Sequence, residues 1–402
     1  FQANICLNYG GRDEIIRAAM AYAKNCVDGS AQPEALTEDE AAGYADGEIL
    51  VQGSIDGLYT FTHPFGCSQT GEDHAQTRKL LAALTRHPNA GAVLVLQLGC
   101  ENLTHEQFVA ELGAYDARRI RFLTCQQVED ELEEGAKLLE ECAKFASSFS
   151  REECSADQLV IGMKCGGSDG LSGITANPAV GRFSDRLIAL GGTTILTEVP
   201  EMFGAEGFLM DRCIDETVFE KAVSMINGFK NYFIRHGEVV YENPSPGNKT
   251  GGITTLEEKS CGCVQKGGKA PVVDVIGYGE QVQTRGLNML YGPGNDLVSS
   301  TALTAAGAHL ILFTTGRGTP FGAPAPTLKI ATNTPLATKK ANWIDFNAGV
   351  IVEGAPADEV LQSFGRCLYA ACEVACVGVC QYDSLRFDSD SRWLGLYEGL
   401  RL

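Results

Sequence analysis

The sequence has no apolar run long enough to cross a membrane. About 18 consecutive apolar residues are needed, and its longest stretches, around Ala92–Leu98 and His309–Phe313, are strand-sized. No basic-apolar-small segment opens the chain, so the cytoplasm is the expected address. Positive charge is scarce: 32 Lys and Arg stand against 51 Asp and Glu, a formal charge of −19. That excludes a nucleic-acid surface, which needs a basic stripe. An anionic substrate must therefore meet a local reversal of sign, from a metal, a few Lys or Arg, or helix N-termini and Gly-rich nests. The chain has 15 cysteines but no C-x-x-C pair. Without a signal segment they read as reduced thiols rather than a disulfide framework, and a structural zinc site has little support. Cys372, Cys376 and Cys380 recur every fourth residue, which fits one packed helix face. No internal repeat of short period is visible.

With 402 residues, 44% hydrophobic and 21% charged, the chain has the composition of a soluble globular protein of two or three domains. The opening FQANICLNYG reads as a strand ending at Gly10-Gly11, followed by a helix over Arg12–Asn25 and an acidic, low-order passage. Strands are expected at Gly57–Phe61, Ala92–Leu98 and Arg121–Cys125, with a helix over Val128–Phe149. From Gln158 the pattern restarts: strand LVIGMKC, a Gly-rich turn, a helix, strand TTILTEV and a long helix from Glu216 to Phe233. A polar, Gly-rich loop is expected over Tyr241–Cys263, then strands near Val272–Ile276, His309–Phe313 and Thr327–Ile330. Alternating strands and helices predict an α/β fold of two Rossmann-like domains with mainly parallel sheets. The expected division is an atypical segment 1–48, an α/β domain 49–155 and a second α/β domain 156–402.

In such sheets ligands bind beyond the C-terminal strand ends, and the polar motifs fall there repeatedly. THPFGCSQTGEDH carries His63, Cys67 and His74, and GCEN carries Cys100 and Glu101. These five are either a divalent-metal group or satisfied loop residues; the mixed N, O and S donors do not name the metal. CGGSDG is either a tight strand-helix connection or an anion cradle in which Gly166 and Gly167 admit backbone N–H groups. It lacks the G-x-G-x-x-G spacing and the acidic residue about 20 positions on, so no nucleotide cofactor is expected. TTGRGTPFG offers the same two readings, with Arg317 able to grip a carboxylate. In GNKTGG, Lys249 is either a solvated lysine or, if desolvated, an anion ligand or base. Glu198 and Glu201 end a strand as ligands, as acid/base groups or, for Glu201, as an ordinary first-turn glutamate.

Taken together, THPFGCSQTGEDH, HPNAGAVLVLQLGCEN, CGGSDGLSGITANPAVGRFSD, GGTTILTEVPEMFGAE, YENPSPGNKTGGITTLEEKS and FTTGRGTPFGAPAPTLKIATNT resemble the altronate/galactarate dehydratase family, from about Asp56 to the C-terminus. The resemblance implies a β-elimination that removes water from a sugar acid in hexuronate catabolism, D-altronate giving 2-dehydro-3-deoxy-D-gluconate. It also implies a divalent metal, Fe²⁺ or Mn²⁺, and reducing conditions. Galactarate dehydration, sulfolactate lysis and an inactive sugar-acid-binding protein are the alternatives. Under this resemblance His63, Cys67, His74, Cys100 and Glu101 are the expected metal ligands, and His74, Lys249 and Glu198 the proton-transfer set. Gly166, Gly167, Ser168, Asp169, Asn248, Arg317 and Thr319 are expected to bind substrate. Partners are expected to be a small anionic sugar acid and copies of the chain in a homo-oligomer, with neither membrane nor nucleic acid.

The start departs from the family pattern. The family's small N-terminal β-domain and first strand-turn-helix are expected to be absent. QANICLNYGGRDEIIRAA through about Asp46 resembles a fragment of an undecaprenyl diphosphate synthase, without that family's catalytic Asp loop or diphosphate motif. Its strand-Gly-Gly-helix form suits the place of the missing first βα unit.

Overall fold

The structure is a computed structural model that describes residues 2–7, 55, 57–61, 63, 65, 67–69, 71–150 and 154–374. They form two compact units divided between Glu152 and Glu153. Every strand pairing in both is parallel. No helix among the described residues is long and apolar enough to cross a membrane.

In the first unit, β1 (Gln2–Leu7), β2 (Gly57–Phe61), β3 (Ala90–Gln97) and β4 (Ile120–Thr124) make a sheet of order β2-β1-β3-β4. Helices α1 (Gly71–Arg86), α2 (His105–Leu112) and α3 (Glu131–Ala146) accompany it. All eight residues of β3 are buried, as its unbroken apolar run requires of a strand covered on both faces. Ala92, Leu94 and Leu96 pack with Leu139, Cys142 and Ala143 of α3, whereas Val93 and Val95 pack with Leu81 of α1 and Phe108 and Leu112 of α2. Thr104 closes a capping box with Gln107 at the head of α2, and Asp130 accepts the Leu132 and Glu133 N–H groups at the head of α3. The opening strand lies inside the sheet: β1 pairs with β2 on one side and β3 on the other. The helix expected at Arg12–Asn25 lies outside the described residues.

The second unit has seven strands: β5 (Val160–Cys165), β6 (Thr193–Leu196), β7 (Val272–Ile276), β8 (Leu287–Leu290), β9 (Leu310–Thr315), β10 (Thr327–Ala331) and β11 (Phe346–Asn347). Their order is β11-β10-β9-β5-β6-β8-β7. Its helices include α4 (Ala176–Ala189), α5 (Glu216–Arg235), α6 (Pro246–Thr250), α7 (Leu256–Cys263), α8 (Asp296–Ala305), α9 (Thr334–Lys339) and α10 (Ala357–Val374). From β5 the chain winds through β6 to one edge. It then returns to place β9 on the other side of β5, so the winding reverses between β5 and β9. That is the topological switch point, where parallel sheets open a crevice at their C-terminal ends.

The stretch Tyr241–Cys263, expected as one long loop, instead holds α6 and α7. Composition hid the start signals: Ser245 caps α6 in a capping box with Asn248, with Pro246 in the first turn, and the Thr255 side chain accepts the Glu258 N–H at the head of α7. Strands β8 and β11 were not anticipated; at four and two residues they are too short to show a periodicity. Helix α10 includes Cys372, while Cys376 and Cys380 lie outside the described residues.

Gly181 on α4 lets the backbone after α7 lie directly on the helix. A Cβ there would stand 2.1 Å from the Gln265 carbonyl oxygen and 3.1 Å from Gly268 Cα. We expect Gly181→Ala to destabilise the protein by about 1–3 kcal/mol through forced overpacking, read as a lowered denaturant midpoint. An unchanged midpoint would show that the turn gives way freely.

Candidate active site

Three segments bring a dense polar cluster to the C-terminal end of β5. The strand itself supplies Lys164 and Cys165, on opposite faces of the sheet because side chains alternate along a strand. The chain leaving β6 supplies Glu198 and then Glu201, in the short helical turn Val199–Met202. Lys259, Cys263 and Lys266, spaced i, i+4, i+7, come from α7 and the turn Val264–Gly267 that continues it.

Around Cys165 the packing is polar throughout. Its thiol donates to Glu201 Oε2 at 2.8 Å, lies 3.6 Å from Cys263 Sγ, and accepts from Lys266 Nζ at 2.9 Å. Glu201 also meets Lys259 Nζ at 3.1 Å and Lys266 Nζ at 3.6 Å. Lys259 is held in addition by Asn243 Oδ1 at 2.9 Å and Asn248 Oδ1 at 3.0 Å.

On the other side of the strand, Lys164 is completely buried and spends all three of its N–H donors. It reaches Glu198 Oε1 at 2.6 Å, Asp296 Oδ1 at 2.8 Å and the Cys165 carbonyl at 3.1 Å. Glu198 links the two faces, since its Oε2 also accepts the Cys165 N–H at 3.0 Å. Glu198 is the one non-glycine residue with positive φ among the described residues, at +70°. A left-handed glutamate costs about 1–2 kcal/mol, and the ion pair and backbone hydrogen bond it makes offset that strain. Gly166, next along, must lack a side chain: a Cβ would come within 2.7 Å of Asp296 Oδ1 and 2.6 Å of Phe313.

Burial opposes every charge here, and proximity decides the outcome. Glu198 and Asp296 outweigh the desolvation of Lys164 and hold it above its ordinary range. Lys259, with Glu201 against the same burial, also stays protonated, as does Lys266 beside Cys165, Cys263 and Glu201. Desolvation resists ionisation of Glu201, yet Lys259 and Lys266 bring its carboxyl well below the usual range. Burial and Glu201 together push Glu198 upward. Three ammonium groups (Lys164, Lys259, Lys266) thus face three carboxyl groups (Glu198, Glu201, Asp296).

Cys165 Sγ, Cys263 Sγ and a Glu201 carboxylate oxygen lie within 4.8 Å of one another and form the metal-ligand group found among the described residues. Two sulfurs and one oxygen suit a divalent ion of borderline softness. Ligation requires the thiols to shed protons; the hydrogen bond to Cys165 and then burial hold the Cys263 thiol well above its ordinary value, so the ion must supply that free energy. Exchanging two thiol protons for a dication leaves the three-against-three balance unchanged. The residues present fit a divalent metal.

Of the residues singled out from sequence, Glu198 and Glu201 are in this cluster. Gly166 donates its N–H to the Thr314 carbonyl at 3.0 Å, and Gly167 has φ +63°. The Ser168 carbonyl accepts from Asn248 Nδ2 at 2.9 Å, and Asp169 accepts from Thr332 Oγ1 at 2.8 Å and Asn333 Nδ2 at 2.9 Å. Asp169 and Asn248 therefore anchor the turn after β5 to the end of β10 and to α6. Arg317 and Lys249 are exposed, and Thr319 is half-buried. The five expected metal ligands lie in the first unit, and none belongs to the converging group. Cys67 Sγ lies 3.8 Å from the Cys100 carbonyl, and Glu101 accepts the Leu98 and Gly99 N–H groups at 3.1 and 2.5 Å. His63 is half-buried against Phe65, and His74 Nε2 is buried without a hydrogen-bond partner among the described residues. Sequence reasoning passed over Lys164, Cys165, Lys259, Cys263 and Lys266. A lysine inside the otherwise apolar strand VIGMKC was the available signal, since buried lysines require partners.

Comparison with known proteins gives the same assignment for both units. Residues 156–376 match the family described as D-galactarate/Altronate dehydratase, C-terminal, and residues 16–147 match D-galactarate dehydratase/Altronate hydrolase, second domain. The chain is 57% identical over 309 residues to altronate dehydratase of Escherichia coli (strain K12), covering 77% of this chain and 62% of that one. It is 56% identical to altronate dehydratase of Bacillus subtilis (strain 168), covering 77% and 63%. To galactarate dehydratase (L-threo-forming) of Escherichia coli it is 36% identical, covering 71% and 56%. The chain thus spans less than two thirds of the length of each of these relatives. With most of the second unit inside one family match and most of the first inside the other, the chain belongs to the D-galactarate/altronate dehydratase family.

Proposed function

We propose that this protein is a metal-dependent hydro-lyase that removes water from an anionic sugar acid, with D-altronate the preferred substrate and 2-dehydro-3-deoxy-D-gluconate the product. The buried group Cys165, Glu201 and Cys263, ringed by lysines at the end of β5, is the observation that carries the reading. The choice of altronate rests on the 57% and 56% identity to altronate dehydratases against 36% to a galactarate dehydratase.

The reaction takes a proton from the carbon beside a carboxylate, where charge builds against an existing anion, and expels the neighbouring hydroxyl with a proton. Cys165, Glu201 and Cys263 would hold the ion, and their two sulfurs favour Fe²⁺ over Mn²⁺. When bound, it supplies a Lewis acid at the developing charge. The fixed ammonium groups of Lys164 and Lys266 add preorganised positive potential, which acts strongly in a dry site. Of the three residues expected to move protons, Glu198 is the one we favour: it is held in the cluster, whereas Lys249 is exposed on α6 and His74 belongs to the other unit. The same reading carries a cytoplasmic homo-oligomer. Free thiols such as Cys67, Cys100, Cys165 and Cys263 suit a reducing compartment.

Anaerobic incubation with Fe²⁺ or Mn²⁺ and a thiol, against a panel of aldonates and aldarates, tests the proposal. We expect altronate to yield a 2-keto-3-deoxy acid. Turnover of galactarate without altronate overturns the substrate assignment. Ligand-dependent thermal stabilisation with no product from any acid would make the chain a binding protein instead.

A further inference from the structure

Four lysines of the second unit are buried: Lys164, Lys259, Lys266 and Lys329, the last only 6% exposed. The first three each sit on a carboxylate. Lys329 does not. Its Nζ donates to the Thr319 carbonyl at 2.9 Å and rests 4.2 Å from the centre of the Phe313 ring, and among the described residues it has no ion pair. Two of its three N–H donors are therefore unspent, in a place where an uncompensated charge is costly.

Its surroundings are ordered by the sheet. Lys329 of β10, Phe313 of β9 and Lys164 of β5 are register partners in one row across three strands, so all three side chains project from the same face. Lys164 Nζ lies 5.3 Å from the centre of the same ring. Asp296, in the first turn of α8, gives its Oδ1 to Lys164, and its side chain is 37% exposed. Its Oδ2 has no hydrogen bond among the described residues. Burial lowers the Lys329 pKa and Lys164 adds to that, while Asp296, close by without an ion pair, and Asp345, whose Oδ2 takes the Lys329 backbone N–H at 2.7 Å, act against it. A cationic donor with free hydrogen bonds thus stands near a carboxylate acceptor with a free oxygen. A 2-hydroxy acid presents the matching pair, an anionic carboxylate and, on the next carbon, a hydroxyl donor.

We propose that Lys329 and Asp296 form the subsite that receives a 2-hydroxycarboxylate: Lys329 Nζ binds the carboxylate, and Asp296 Oδ2 accepts from the adjacent hydroxyl. This rests on the sugar-acid reading above and names the residues that take the acid end. It assigns to Lys329 the desolvated-lysine role that the sequence offered to Lys249.

The test is calorimetric binding to the full chain with reduced thiols, using D-altronate, the minimal 2-hydroxy acid D-glycerate, and the methyl ester of each. One charge-assisted contact corresponds to about ten- to a hundred-fold in affinity. We expect Lys329→Met to weaken both acids by that factor, to leave the esters unchanged, and to be largely rescued by Lys329→Arg. Unchanged acid binding by Lys329→Met overturns the subsite. Should that variant fail to fold, Lys329→Gln replaces it. The unmodified chain also reads the site by itself, because equal affinity for glycerate and methyl glycerate overturns it. If glycerate binds through Lys329 while altronate and the other sugar acids do not, the subsite stands and the proposed substrate falls. Binding of neither acid class overturns the subsite.

Discussion

Replacing Glu201 with Gln is expected to cost about 3–5 kcal/mol of folding stability, the usual penalty for removing one partner from a buried charge network. The substitution keeps shape and volume and removes only the charge. Glu201 carries contacts to Lys259 at 3.1 Å, to Lys266 at 3.6 Å and to the Cys165 thiol at 2.8 Å. Lys259 would retain its two asparagine acceptors. Lys266, 1% exposed, would keep only the Cys165 sulfur at 2.9 Å. Most of the penalty therefore falls on Lys266, and the double variant Glu201→Gln/Lys266→Met should recover about half of it, since neutralising both members removes the uncompensated charge. Against a total of about 5–15 kcal/mol for a typical domain, a loss of this size is easily read in urea at constant m-value. A loss below about 1 kcal/mol would mean that water reaches these groups and the cluster is not the dry network described above.

The fold was legible wherever apolar residues run without a break. The strands β3 and β9, buried along their whole length, differ from expectation by only one to two residues at their ends. Fully buried parallel strands announce themselves in this way, because nothing polar can interrupt them. The site was less legible, for a physical reason. Cys165 and Cys263 are 98 positions apart, and only the crossovers of the sheet bring them together. Proximity in sequence instead favoured His63, Cys67 and His74, which share one loop and the helix after it. The second obstacle was composition: the Gly-, Pro- and Asn-rich run before Cys263 reads as loop, so the helical spacing of Lys259, Cys263 and Lys266 went unseen. Glu198 was found because strand ends are where such sheets do chemistry. Its left-handed backbone was not foreseen, since nothing local requires it.

Cys263→Ser is expected to abolish metal retention and turnover while leaving the fold intact. Serine is nearly isosteric with cysteine, and no charged group is stranded, because Lys266 keeps Cys165 and Glu201. The stability change should therefore stay within about 1 kcal/mol. The change in ligand chemistry is much larger. A thiol ionises to ligate, whereas a serine hydroxyl does not do so near neutral pH, and its harder oxygen suits Fe²⁺ less well. Losing even a supporting group around a metal costs about 10–100-fold in affinity, so losing a direct ligand should exceed about 100-fold. Two measurements separate the effects. After anaerobic loading and desalting, the parent should hold metal and the variant almost none. Metal at about a hundred times its dissociation constant should also stabilise the parent by about 2.7 kcal/mol, and the variant by nothing measurable. Cys165→Ser should behave alike in both assays. Full metal occupancy and turnover in both serine variants would remove the ion from the end of β5 and turn attention to the Cys67 and Cys100 strand ends of the first unit. The buried cluster would then hold the loops after β6 and α7 together by charge alone.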